Sequence, residues 1–201
     1  KVTSTPTSEY SPQLSPDGTM LGVVRVDADS GQRFYSIPVN DTRISMHVDH
    51  SDSIGYFTWL TDSTIAMFIL GETNSLQLLN NISGERTYIA PSIGRCLKTD
   101  FKREYLYFTN KGIDTTIQRL HLTDFKIEKV TDVIAGSEDF AVLKDNSLLM
   151  GKSGVLYHWS TAQPKWNPVA DFKPSLTDFY RISVSPSNDR IAVVAFTGKK
   201  P

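Results

Sequence analysis

Aliphatic positions return along this chain at near-equal intervals, each just behind a short polar turn. Leu21, Ile65, Leu106, Leu148 and Ile191 are separated by 44, 41, 42 and 43 residues. The context repeats with them. The opening stretch Tyr10-Ser11-Pro12-Gln13-Leu14-Ser15-Pro16-Asp17-Gly18-Thr19-Met20-Leu21-Gly22-Val23-Val24 reads strand, tight turn, strand. Pro16 presets φ, Asp17 can bond the backbone ahead of it, and Gly18 can take the positive φ that a hairpin turn needs. The form returns at Trp59 to Phe68, Phe101 to Phe108 and Val142 to Met150. It returns almost complete at Val184 to Val194, where Ser185-Pro186 restores the Ser-Pro pair. Tyr10 and Tyr180 then fall in equivalent places, 170 residues apart.

Each repeat has a second half, in which an alternating strand, a polar turn and a last strand follow. Arg33 to Ile44, Ser75 to Ile89, Thr116 to Val130 and Val155 to Val169 all fit this form. Period-two alternation over four to seven residues marks half-buried strands, and no helical stripe of useful length competes with it. Four strands in roughly 40 to 45 residues is the size of one propeller blade. Radial stacking covers both faces of such sheets and leaves only short edges. The expected fold is therefore all-β, a β-propeller of four-stranded antiparallel blades forming a single domain over residues 1–201. Five blades are expected, with repeats at 10–53, 54–94, 95–136, 137–178 and 179–201 plus 1–9.

The fifth repeat has only two strands of its own, so residues near Val2 to Thr7 are expected to pair beside Arg190 to Phe196. A truncated larger propeller is the alternative. Inner strands should begin near Ser11, Tyr56, Arg95, Phe140 and Arg181, with Trp59, Phe108, Leu148 and Val193 mostly buried.

The pattern Leu-Ser-Pro-Asp-Gly-Thr followed by an aliphatic strand, at Leu14 to Thr19, resembles the WD40-like (PD40-type) propeller repeat of the TolB family. The second halves, such as Ile117 to Asp124, are similar to that family's outer strands. The resemblance covers nearly the whole chain, but only the first and fifth repeats carry the Ser-Pro. It implies a fold more than an activity. The family includes envelope interaction proteins, propeller halves of serine peptidases and a few lyases. A periplasmic, cell-envelope or extracellular setting is what it implies, and the polar start from Lys1 to Ser8 fits a mature terminus after a removed leader.

Composition narrows the partners. Lys plus Arg is 21 and Asp plus Glu 22, a net charge of -1, so no global field would draw the chain to nucleic acid or to an anionic membrane. No apolar run is long enough for a transmembrane helix. The single cysteine, Cys96, excludes an intrachain disulfide and is expected as a buried small hydrophobe.

Chemistry-bearing motifs are sparse. A nucleophile elbow, a P-loop and a dinucleotide fingerprint are all missing. His47 and His50 alternate with carboxylates in Met46-His47-Val48-Asp49-His50-Ser51-Asp52, a spacing that can meet a metal on extended chain; a solvated loop between blades is the alternative reading. His121 and His158 are expected on strand surfaces. Glu138 and Asp139 are adjacent and so point apart on a strand. Asn40-Asp41-Thr42 and Asn81-Ile82-Ser83 match the glycosylation sequon at outer turns. Phe57, Trp59, Tyr105, Tyr107, Phe108 and Phe140 are expected in the inter-blade core. Tyr10, Tyr56 and Tyr180 stand where innermost strands enter, with Arg95 and Arg181 at corresponding starts. This set is the candidate binding rim of the channel. The expectation is a non-enzymatic module that binds a protein or peptide and uses no cofactor. The alternative is the propeller of a larger enzyme, a serine peptidase gate or a carbohydrate-active lyase.

Overall fold

A computed structural model describes residues 6–41, 46–47, 53–173 and 175–196. Every regular element among them is a strand. The first sheet takes β1 (Glu9–Leu14), β2 (Met20–Val26), β3 (Gln32–Pro38) and the short β4 (Met46–His47), in that order. The second takes β5 (Ile54–Trp59), β6 (Thr64–Ile69), β7 (Ser75–Asn80) and β8 (Arg86–Pro91). The third holds β9 (Ile93–Thr99), β10 (Tyr105–Lys111), β11 (Thr115–His121) and β12 (Ile127–Asp132). The fourth holds β13 (Phe140–Val142), β14 (Leu148–Lys152), β15 (Val155–Ser160) and β16 (Gln163–Asp171). The last sheet pairs β17 (Asp178–Val184) with β18 (Ile191–Phe196). Neighbours follow chain order throughout and the ladders between described residues are antiparallel, as a meandering blade requires.

The chain divides into two compact units, one ending at Leu97 and one beginning at Lys98. The expected pairing of residues 2–7 beside β18 falls mostly on residues 1–5, outside the described residues. Just inside them, Ser8 accepts the amide of Val26 at 2.9 Å, lengthening the first hairpin by one rung.

The aliphatic positions that set the period mark the register. Leu14 faces Leu21, Trp59 faces Ile65, Val142 faces Leu148 and Val184 faces Ile191 across their hairpins. Ile65, Leu106 and Leu148 are fully buried. Ile191 is 39% exposed, and its sheet has two strands among the described residues. Trp59 and Phe108 are buried as expected, while Val193 is half-buried against the second unit's core.

β13 begins at Phe140 as expected. Four other inner strands begin two or three residues before the expected starts, and bulges explain this for three of them. Ser11 (φ 55) lies in a register shift between Tyr10 and Gln13, and Arg181 (φ 54) in one between Tyr180 and Ile182. A third shift lies between Ile54 and Tyr56. Pairing resumes upstream of each bulge, so alternation read from the sequence loses phase there while the ladder continues.

Each unit has its own core. In the first, Val24, Phe34, Ile54, Phe57, Trp59, Ile65, Met67 and Leu79 cluster, with Phe34 meeting Phe57 edge-on at 4.9 Å and Trp59 at 5.6 Å. In the second, Ala141, Leu149, Leu156, Phe179 and Ile182 do so. One device appears in both. A Cβ at Gly22 would lie 2.8 Å from the Phe57 ring, and one at Gly151 would lie 2.3 Å from the Phe179 ring. A bare backbone on the second strand of one sheet thus admits an aromatic from the first strand of the next. Of the aromatics expected inside, Phe57, Trp59, Tyr107, Phe108 and Phe140 are buried. Tyr105 is half-buried beneath the Arg119 guanidinium, 4.3 Å from the ring centre. Cys96 is buried and forms no disulfide.

Candidate functional site

Three of the five turns joining first to second strands share one chemistry. In the first sheet Ser15 Oγ accepts the amide of Met20 at 2.9 Å and donates to Asp17 at 2.6 Å. In the last sheet Ser185 Oγ accepts the amide of Arg190 at 3.1 Å and donates to Asp189 at 2.8 Å. In the third sheet the same place holds Asp100, whose Oδ1 accepts the amides of Glu104 at 2.9 Å and Tyr105 at 2.8 Å. In all three the acceptor closes onto the residue five positions on, which satisfies backbone donors that the hairpin leaves over. Asp100 differs in having a second oxygen. The residue is 2% exposed, and its Oδ2 is buried with no hydrogen-bond partner among the described residues.

Asp100 belongs to the wall of a cavity of about 310 Å³ in the second unit. The ends of three innermost strands surround this space: Lys98 and Thr99 of β9, Ala141 and Val142 of β13, and Ile182 to Val184 of β17. Phe101, Arg103 and Pro186, all exposed, stand at its mouth. The walls mix aliphatic side chains with about as many polar and charged ones. Lys98 is half-buried, and its side chain has no hydrogen-bond or ion-pair partner among the described residues. Phe101 has the Lys144 ammonium 5.6 Å from its ring centre.

A larger cleft of about 810 Å³ lies elsewhere in the second unit, where β11 begins and β12 ends. Four of its five charged groups answer one another, Lys111 to Glu138 at 2.7 Å and Lys129 to Asp132 at 2.7 Å, and Asp114 has no ion pair among the described residues.

The expected rim residues stand at strand entries. Tyr10 is half-buried against the first core, and its hydroxyl donates to the Gln32 side-chain oxygen. Burial, and secondly the charge of Tyr56, raise its pKa above the ordinary phenol value. Tyr56 is half-buried, its ring 6.0 Å from Phe68. These two therefore come near one another. Arg95 is half-buried on β9. Tyr180 faces Val194 and Arg181 forms the bulge, both half-buried at the entry of β17, whereas the cavity sits at that strand's exit. Of the weaker metal candidates, His50 lies outside the described residues, and His47 is placed by its backbone, opposite Tyr35. Among the described residues no three His, Cys, Asp or Glu side chains gather as a metal site would need.

The sequence reading singled out strand entries and missed the exits. One signal was there: an aspartate at the place where the first and fifth repeats use serine.

No family model and no curated protein sequence matches the chain. Solved structures do. A TolB-type protein of Agrobacterium tumefaciens superimposes with a TM-score of 0.76 at 12% identity, over 98% of this chain and 78% of its own. TolB of Acinetobacter baumannii gives 0.72 at 13% identity, over 94% of this chain and 49% of its own. An oligogalacturonate lyase in complex with manganese gives 0.71 at 14% identity, over 94% of this chain and 63% of its own. Identities this low speak for the fold alone, and the fold is that of a TolB-like β-propeller.

Proposed function

We propose that this chain is a binding propeller that holds a protein or peptide partner and catalyses no reaction of its own. The observation that carries the proposal is the cavity at the exits of three innermost strands, where aliphatic and polar side chains line one open space and Lys98 has no ion-pair partner among the described residues. Such a site has contact area and unmet hydrogen bonding, which suits recognition on loops held by a rigid scaffold. Structures similar to this chain include TolB and a nidogen/laminin complex. The proposed architecture is five blades in a single domain, with residues 1–9 completing the last. The proposed setting is periplasmic, cell-envelope or extracellular, as the resemblance to TolB repeats implies. No helix of the described residues is long and apolar enough to cross a membrane. The strand-entry set Tyr10, Tyr56, Arg95, Tyr180 and Arg181 is proposed as a second contact surface.

The other reading is that the chain is the propeller of a larger enzyme. Oligogalacturonate lyase and a gluconolactonase are among the similar structures, and the chain spans 63% and 71% of them. A peptide library displayed on phage and selected on the immobilised chain distinguishes the two. Enriched peptides that no longer bind Ser183→Trp, which blocks the cavity from an exposed wall position, support the binding module. No enrichment, together with turnover of an oligogalacturonide or a lactone, supports the enzyme.

A further inference from the structure

We propose that the strand-exit end of the second unit docks an acidic segment of a partner protein: its carboxylates meet the cations around three turns, and an apolar side chain of the same segment enters the cavity between them. The inference rests on the binding reading above and adds the partner's chemistry.

The turns after β9, β13 and β17 meet at this cavity, and they spend their charges unequally. Apart from exposed Glu104, their carboxylates are engaged within their own turns. Asp100 accepts the amides of Glu104 and Tyr105, Asp145 the amide and hydroxyl of Ser147, and Asp189 the hydroxyls of Ser185 and Ser187. The cations are left over. The side chains of Lys98, Lys102, Lys144 and Arg190 make no hydrogen bond or ion pair among the described residues. Lys144 meets the Phe101 ring at 5.6 Å and lies within electrostatic reach of Asp189. Arg103 adds a further positive charge at the mouth. Unmet donors at this end are therefore cationic, while most acceptors are in use.

The hairpin does not require these cations. At the same places in the first unit, Ser15 to Thr19 and Leu60 to Thr64 contain no lysine or arginine, and Asp62 accepts the amide of Asp17. Several cations around one mouth suit a segment with more than one carboxylate, and such complementary charge speeds encounter and fixes register. The space between the cations selects a peptide over a polynucleotide. Ala141, Val142, Ile182 and Val184 line it, with exposed Phe101 and Pro186 at the mouth, and about 310 Å³ holds one large apolar side chain. A phosphodiester backbone brings no side chain to fill it, and a net charge of -1 gives no general attraction for polynucleotide. An acidic stretch interrupted by an apolar residue brings both the charge and the anchor.

The test selects a random twelve-residue peptide library on phage against the immobilised full 201-residue chain. Enriched peptides are then labelled with fluorescein and read by fluorescence polarisation. They are expected to carry two or more Asp or Glu within four positions of an aliphatic or aromatic residue. Their affinity should fall at least ten-fold between about 50 and about 500 mM sodium chloride. It should fall as far when their acids are replaced by amides, and in Lys98→Met. The double variant Lys144→Met/Arg190→Met should show the same loss at an unchanged thermal midpoint; both residues are exposed, so it decides the matter even where Lys98→Met folds poorly. Ser183→Trp, which fills the cavity, should weaken binding while leaving the salt dependence in place. Enriched peptides without acidic residues, or full affinity in the double variant or in Ser183→Trp, overturn the acidic-segment inference and leave the peptide-binding reading standing. Failure to enrich any peptide overturns both. Salt-sensitive binding of fluorescein-labelled oligothymidylate that the double variant loses would then assign the same cations to a polynucleotide.

Discussion

The two units handle the ends of their innermost strands in opposite ways. In the first unit the ends are tied together. Gln13 of β1 reaches the carbonyl of Phe57 on β5 at 2.7 Å, and the Trp59 indole returns to the carbonyl of Gln13 at 3.1 Å. Asp62 then accepts the amide of Asp17, turn to turn, at 2.9 Å. In the second unit the corresponding places hold shorter or unpaired side chains. Val142 stands at Trp59's place in the register, and Lys98, Ala141 and Ser183 occupy the level of Gln13. No indole fills the centre, and a cavity remains. One hairpin plan, repeated about every 42 residues, thus yields a plugged end and an open one through the choice of two or three side chains per strand. The first arrangement commits its strand ends to ties and packing, and the second leaves them around open space.

The sharpest break of this comparison is Trp59→Ala. Trp59 is 2% exposed, packs edge-on against Phe34 and Phe57, and ties two sheets by its N–H. Its removal leaves a large void and a carbonyl without its donor, so a loss of about 3–5 kcal/mol is expected in urea unfolding. Val142→Ala, at the matching place beside an existing cavity, should cost only about 1–2 kcal/mol. Equal losses would show that the two strand ends are packed alike.

A reciprocal exchange comes next. Ser15→Asp introduces a second oxygen into a 4% exposed position, near the carboxylate of Asp17. A cost of about 1–3 kcal/mol follows from a buried acceptor without a donor. Asp100→Ser removes such an acceptor, so its thermal midpoint should hold or rise. If Asp100→Ser proves destabilising by as much as Ser15→Asp, then Oδ2 is structurally required and the contrast fails at that residue. A smaller effect is expected of Gln13→Ala, which cuts the tie to Phe57: about 0.5–1.5 kcal/mol.

How far these differences could be read in advance depends on their physical range. The blade period was legible because hydrophobic burial imposes the same alternation on every strand, and the aliphatic positions from Leu21 to Ile191 mark it without reference to neighbours. Sheet order followed from the short connections. Strand starts were blurred at Ser11 and Arg181 because a bulge is a backbone event, and neither residue type announces it. The cavity was not legible. It depends on what Val142 and Val184 fail to fill, and unfilled space is a property of several strands at once. Asp100 lay between these cases: its turn role was readable from position, but the idle oxygen became visible only with the neighbours in place.

The last prediction concerns what the two units share. Asp17 in the first unit and Asp145 and Asp189 in the second each accept hydrogen bonds from nearby Ser or Thr groups, and those bonds hold all three carboxyls below the ordinary range. For Asp17 the first cause is the Ser15 hydroxyl, for Asp145 the Ser147 side chain, and for Asp189 that of Ser187. Asp29, bonded by Arg33, and Asp124, bonded first by the Lys126 amide and then by His121, are lowered as well, one in each unit. A folded pKa below the unfolded one binds protons more weakly in the native state. Its stabilising contribution is complete above the unfolded carboxyl value, about 3.9, and is lost as pH falls through the folded value. Ser147→Ala removes the main donor to Asp145, so that carboxyl should titrate higher in the folded protein and the variant should show a shallower loss of stability below about pH 4. The two units should respond over the same acidic window, because this turn chemistry is common to both whereas the strand-end packing is not. Trp59 reports on the first unit and Trp159 on the second, and 19F NMR of protein labelled with 5-fluorotryptophan between pH 2 and 6 follows both with every tryptophan in place. An acid transition confined to one unit would mean that the turns, and not only the strand ends, had diverged.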